Sequence, residues 1–214
     1  MAAPLVKICG INDSDALDAT IRARADFIGL VFFAKSPRHV EPDKAAMLAA
    51  RSAGRTTIVG LFVDPEPDYL ARVMASVPLD RIQLHGKETP AQAAAIAARH
   101  GVPVWKALGV KKREDLLAAD AYAGAVERVL FDAKPPEGAD LPGGTGLRID
   151  WAILKGARPA VPWMLAGGLD PLNVAEALSV TGAPAVDVSS GVEQAPGVKD
   201  AARIAAFCAA ARGA

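Results

Sequence analysis

The sequence predicts an α/β protein built as one (β/α)8 (TIM) barrel domain over residues 1–214. Three observations carry that prediction. Apolar runs of strand length alternate with helix-like stretches eight times, at a spacing of roughly 25 residues. Alternation means parallel pairing, because only a crossover returns the chain in the same direction, and eight such units close a barrel. Hydrophobic residues make up 51% of the chain and many are Ala, as expected of helices packed closely on a sheet. The competing architecture, an open doubly wound sheet, calls for G-x-G-x-x-G after its first strand, and Cys9-Gly10-Ile11-Asn12 is not that motif.

The first strand runs from Leu5 to Cys9 and ends where Gly10 permits a turn. Side chains alternate along it, so Lys7 and Cys9 share one face and Val6 and Ile8 the other. Caps at Asn12-Asp13-Ser14-Asp15 introduce a helix over Ala16–Ala23. Phe27–Phe32 is the second strand; the loop Ala34–His39 leads to a helix over Pro42–Arg51. Thr57–Phe62 is the third strand, and Asp64-Pro65-Glu66-Pro67 turns into a helix through Tyr69 and Val73. Arg81–His85 is the fourth, followed by a helix over Ala91–His100 with Thr89 as cap and Pro90 at the first position. Val104–Leu108 is the fifth, with a short helix over Lys112–Ala119. Val129–Asp132 is the sixth, followed by a long Gly- and Pro-rich loop from Ala133 to Leu147 and a short helix near Asp150. The length of that loop at a barrel rim suggests a lid. Pro162–Ala166 is the seventh strand, with a helix from Pro171 to about Leu178. Ala185–Val188 is the eighth, with a last helix over Lys199–Ala211.

The formal net charge is zero and no Lys/Arg-rich run stands out, which argues against nucleic acid and membrane surfaces as partners. No apolar stretch approaches the ~18 residues a membrane span needs, and Lys7 breaks the only apolar run near the N-terminus, so no signal peptide is read and a cytoplasmic setting is expected. The two cysteines, Cys9 and Cys208, form no CxxC, and Cys208 reads as packing on a helix face. With three histidines and neither HxH nor HExxH, no metal site is expected.

In a barrel the carboxyl ends of all strands meet at one rim, so polar residues far apart in sequence become neighbours. Here these are Cys9, Arg38, Gln83, His85, Asp132, Asp187 and Ser189. Gly167-Gly168 and Ser189-Ser190-Gly191 end strands seven and eight, where phosphate is commonly bound: Gly lets backbone N–H groups approach the anion, and Ser adds donors. The competing reading is turn chemistry alone. Arg38, after Ser36-Pro37, is either a fork for a substrate carboxylate or a solvated loop residue. Asp132 ends an apolar strand, so it needs a role or a partner; it forms an acid/base pair with Cys9 across the mouth, or it pairs with Lys106 or Lys134. His85 reads first as a satisfied hydrogen-bonding residue; with Gln83 and Asp187 it is also a candidate substrate contact.

Several motifs together resemble the phosphoribosylanthranilate isomerase family. They are Lys7-Ile8-Cys9-Gly10, Gly29-Leu30-Val31-Phe32 with Ser36-Pro37-Arg38, Gln83-Leu84-His85-Gly86, Phe131-Asp132 with Gly143-Gly144-Thr145-Gly146, Leu165-Ala166-Gly167-Gly168-Leu169, and Asp187-Val188-Ser189-Ser190-Gly191-Val192-Glu193 with Pro196-Gly197-Val198-Lys199-Asp200. Each is weak alone; together they run the length of the chain in order. The resemblance implies a cofactor-free Amadori rearrangement of N-(5-phosphoribosyl)anthranilate in tryptophan biosynthesis. It implies Asp132 as general acid, Cys9 as general base, Arg38 on the anthranilate carboxylate and the Gly/Ser turns on the phosphate. The partner is then a small phosphorylated substrate, bound by a monomer or homodimer. Ordinary pKa values, about 3.9 for Asp and about 8.5 for Cys, are in the wrong order for these roles, so the site must raise one or lower the other. Lys7, on the face that carries Cys9, is the cation placed to lower the thiol. Two other readings compete: a Schiff-base aldolase using Lys7, Lys106 or Lys134, and a phosphosugar-binding module without catalysis.

Overall fold

A computed structural model describes residues 3–134, 143–144 and 146–213. Most of the loop read as a lid, including Gly138 and Thr145, lies outside the described residues. Eight strands close a parallel barrel in sequence order. They are β1 (Leu5–Cys9), β2 (Phe27–Val31), β3 (Thr57–Phe62), β4 (Arg81–Leu84), β5 (Val104–Val110), β6 (Arg128–Ala133), β7 (Trp163–Leu165) and β8 (Ala185–Val188). The seam closes by β1 pairing with β8, Lys7 opposite Asp187, while β2 places Gly29 opposite Cys9.

The period of two sorts the side chains onto two faces. Val6 and Ile8 point out, into the core shared with the helices. Phe27, Val59, Trp105, Leu130, Met164 and Ala185 form a separate cluster that fills the barrel, with Phe27 edge-on to Trp105 at 4.9 Å. Cys9, Val31 and Leu61 form a third apolar group nearer the carboxyl ends of their strands. Polar inward positions at the rim therefore stand on an apolar plug.

The outer layer comprises α1 (Ser14–Arg22), α2 (Pro42–Ser52), α3 (Pro67–Ser76), α4 (Pro90–His100), α5 (Val174–Thr181) and α6 (Ala201–Arg212). Asp13 caps α1 by accepting from the Ala16 N–H, and Thr89 caps α4 in a reciprocal box with Gln92. Two units depart from the expected helix. After β5 the chain forms a 3-10 helix over Arg113–Tyr122, and after β6 one over Trp151–Leu154. In the first, Leu116, Ala119 and Tyr122 turn toward the core at intervals of three, the period of a 3-10 helix and not of an α-helix. After β8 the chain makes a 3-10 turn (Ser190–Val192) and an antiparallel hairpin, β9 (Glu193–Ala195) and β10 (Val198–Lys199), before α6. The hairpin was not expected from the sequence.

Candidate active site

Cys9, Arg38, His85, Asp132, Asp187, Ser189 and Ser190 border one cavity at the carboxyl-terminal rim, with Gly143, Gly144, Gly167 and Gly168 and an apolar wall of Val31, Leu61 and Leu169. Gln83 does not border it; fully buried, it lies 3.4 Å from His85 Nδ1 through its amide nitrogen, which removes it from the candidate substrate contacts.

Cys9 is buried at the end of β1. Only Gly fits opposite it: a Cβ at Gly29 would stand 2.7 Å from Cys9 Sγ and 3.2 Å from Lys7 Nζ. Lys7 is fully buried and donates to Asp187 Oδ1 at 2.9 Å. Burial works against the Lys7 ammonium, but Asp187 and Cys9 outweigh it and its pKa is raised. Burial likewise pushes the Cys9 thiol up, and here Lys7 pulls down without prevailing. The expectation that Lys7 brings Cys9 below its ordinary value is therefore corrected: desolvation by burial is the larger effect. Asp187 serves Lys7 first and the cavity second.

Asp132 also ends its strand facing in. Its Oδ1 accepts from the Ala133 N–H at 2.7 Å, and Oδ2 lies 3.2 Å from His85 Nε2. The lysine partners considered from sequence are elsewhere. Lys106 is buried and donates to Gly86 O at 2.7 Å and to Glu88 Oε2 at 3.0 Å, while Lys134 is exposed. Lys7 and Lys106 are thus both ion-paired in the interior, which weakens the aldolase reading.

The turns after β7 and β8 are shaped by close approach. Gly167 and Gly168 adopt φ of +81° and +67°, and a Cβ on Gly191 would meet Leu169 O at 1.9 Å. A Cβ on Gly168 would lie 2.8 Å from Arg148 Cα, so this glycine also serves loop packing. Ser189 has a different task from the anion donor expected of its hydroxyl: it donates to Cys9 O at 3.0 Å and accepts from Lys199 Nζ at 3.3 Å. Ser190 borders the cavity.

Arg38 is buried, not a solvated loop residue. One edge of its fork is already occupied: Nε and Nη2 donate to Glu193 Oε1 and Oε2 at 2.8 and 2.9 Å. Glu193 Oε1 also accepts from Lys199 Nζ at 2.7 Å. Burial would raise the Glu193 carboxyl, but Arg38 and Lys199 together hold it below its usual value. Glu193 and Lys199 stand in the last stretch that carries the family resemblance, but nothing in the sequence gives either of them a role at the rim.

A closed parallel barrel with a thiol, a carboxyl and glycine turns around one rim cavity defines a (β/α)8-barrel enzyme. The family model for N-(5'-phosphoribosyl)anthranilate (PRA) isomerase matches residues 6–210. The N-(5'-phosphoribosyl)anthranilate isomerase of Paramagnetospirillum magneticum is 56% identical over 208 residues, covering 97% of either chain. The crystal structure of phosphoribosyl anthranilate isomerase from Thermotoga maritima superimposes with a TM-score of 0.88 at 36% identity, covering 99% of this chain and 100% of that one. A further solved structure, the isomerase in complex with reduced 1-(o-carboxyphenylamino)-1-deoxyribulose 5-phosphate, matches with a TM-score of 0.85 at 34% identity, covering 99% and 100%. The chain belongs to the N-(5'-phosphoribosyl)anthranilate isomerase family, and its reaction is the aldose–ketose isomerisation of tryptophan biosynthesis.

Proposed function

We propose that Asp132 and Cys9 carry out this isomerisation as general acid and general base on N-(5-phosphoribosyl)anthranilate, giving 1-(2-carboxyphenylamino)-1-deoxyribulose 5-phosphate. The observation that carries the assignment is that both stand at the carboxyl ends of their strands and border one cavity, which Arg38, Gly168 and Ser190 also border. The substrate has matching ends, a carboxylate and a phosphate, with the proton-transfer centre between them. The related isomerase solved in complex with the reduced product supports a ligand of this chemistry.

Asp132 gives its proton to the furanose oxygen, the C1–O bond breaks, and an iminium forms at C1. The iminium acidifies the C2 proton, which the Cys9 thiolate removes. The resulting enolamine becomes the ketone by gaining a proton at C1 and losing one from the C2 hydroxyl. Electrons move only from C2 to C1, so the reaction needs no cofactor. Phosphate is held by backbone N–H groups of the turns at Gly167-Gly168 and Ser189-Ser190-Gly191, with the Ser190 hydroxyl as a further donor. Arg38 takes the anthranilate carboxylate on the guanidinium edge that Glu193 leaves free. A cytoplasmic monomer or homodimer whose partner is this small substrate completes the reading; among the described residues no helix is long and apolar enough to cross a membrane. Fluorescence loss on mixing freshly made substrate with the purified protein tests the activity. Absence of turnover would favour a phosphosugar-binding module.

A further inference from the structure

We infer that Glu193 and Lys199, on the hairpin after β8, are positioning residues for the carboxylate-bearing end of the substrate: Glu193 turns Arg38 so that its outer edge faces the cavity, and Lys199 keeps the cluster cationic. The inference rests on the assignment of Arg38 to that carboxylate.

Glu193 grips the inner edge of the guanidinium, Nε and Nη2, with both oxygens. The remaining edge, Nη1 with the second N–H of Nη2, is a complete two-pronged donor for one carboxylate. Nη1 lies beside Gly144, where a Cβ would approach it to 2.8 Å, and both Gly144 and Arg38 border the cavity. A side chain at that glycine would cover the free edge.

Charge supports the same division of labour. Arg38 with Glu193 alone is a neutral pair and holds little attraction for an anion. Burial lowers the Lys199 pKa from its ordinary 10.5 and Glu193 opposes that; as an ammonium, Lys199 Nζ, 2.7 Å from Glu193 Oε1, brings the cluster to one net positive charge. The same ammonium donates to Ser189 O at 3.0 Å, so it also braces the turn assigned to the phosphate.

The hairpin is fixed to the loop it orients. Asn12 donates to Gly197 O at 3.1 Å, and Gly197 sits so close to Pro37 that a Cβ there would be 2.3 Å from Pro37 O. Arg203 donates to the Glu193 carbonyl. Glu193 and Arg38 are both buried, so their geometry is held by packing as well as by charge.

Two inhibitors test this: the reduced product, and the same molecule lacking the carboxylate. The readout is the ratio of their inhibition constants, the carboxylate preference, alongside kcat. Arg38→Met should abolish the preference. Glu193→Gln adds one unit of positive charge while releasing the fork. A purely electrostatic role therefore calls for an increased preference, and positioning for a loss of at least about ten-fold with little change in kcat. Lys199→Met should also lower the preference, and it reports on the charge if the Glu193 variant does not fold. A preference that survives Arg38→Met would overturn the Arg38 assignment itself. A preference lost in Arg38→Met but kept or increased in Glu193→Gln would overturn positioning alone, and one unchanged in Lys199→Met would overturn the role of Lys199.

Discussion

His85 Nε2 stands 3.2 Å from Asp132 Oδ2, so the carboxyl assigned as the acid is held by an imidazole and not by a lysine. With the Ala133 N–H on Oδ1, both oxygens of Asp132 have a partner before substrate arrives. His85→Asn should leave KM close to its original value and lower kcat by up to about ten-fold, the scale of one hydrogen bond. A loss as large as that of Asp132→Asn would instead make His85 the proton donor.

Phosphate recognition is assigned mainly to backbone N–H groups. Gly168→Val is a poor probe of it, because the new side chain would push into Arg148 and disturb the loop itself. Ser190→Ala is cleaner: KM should rise several-fold with the thermal midpoint unchanged. Crystals soaked in phosphate should show the anion beside Gly168 and Ser190, and an anion bound only elsewhere would sink the assignment.

Glu193 links the rim to stability in acid. Burial opposes its ionisation, but Arg38 and Lys199 lower its pKa from the ordinary 4.5. A group whose folded pKa is depressed stabilises the fold above its unfolded value and loses that contribution as pH falls through the folded value. The thermal midpoint of Glu193→Gln should therefore lie below that of the parent at pH 6, with the gap closing below about pH 4.5. A gap independent of pH would mean that Glu193 is not ionised in the folded protein.

The thiol should titrate in the opposite sense. Burial raises Cys9 above 9.0 despite Lys7, and Cys208 lies near 11 for the same reason. In a Cys208→Ser background, thiolate absorbance should appear only above pH 9, the ordinary thiol value, and kcat/KM should still be rising there if the thiolate is the base. Thiolate absorbance at neutral pH in the free protein would show that Lys7 prevails over desolvation after all.

Strand positions were legible because apolar and β-branched runs end in Gly or polar turns, and each lies within a residue or two of its place. The placement of Cys9 and Asp132 at one rim followed from their positions at strand ends once closure was assumed. The short strands β9 and β10 carry no run long enough to mark a period. The ion pairs were equally hidden: Arg38 and Glu193 are 155 positions apart, and Lys7 and Asp187 are 180 apart. A sequence lists such charges without saying which approach across the seam. For the same reason the sequence shows Lys7 beside Cys9 on one strand face but neither its partner Asp187 nor the depth of its burial.

The assignment of Cys9 as base is tested most directly by kcat of Cys9→Ala, measured beside its affinity for the reduced product. General-base catalysis contributes ~10²–10⁴ in rate, so kcat should fall by at least about a hundred-fold while the reduced product binds as before. Full activity in Cys9→Ala would contradict the account and leave Cys9 a buried packing thiol.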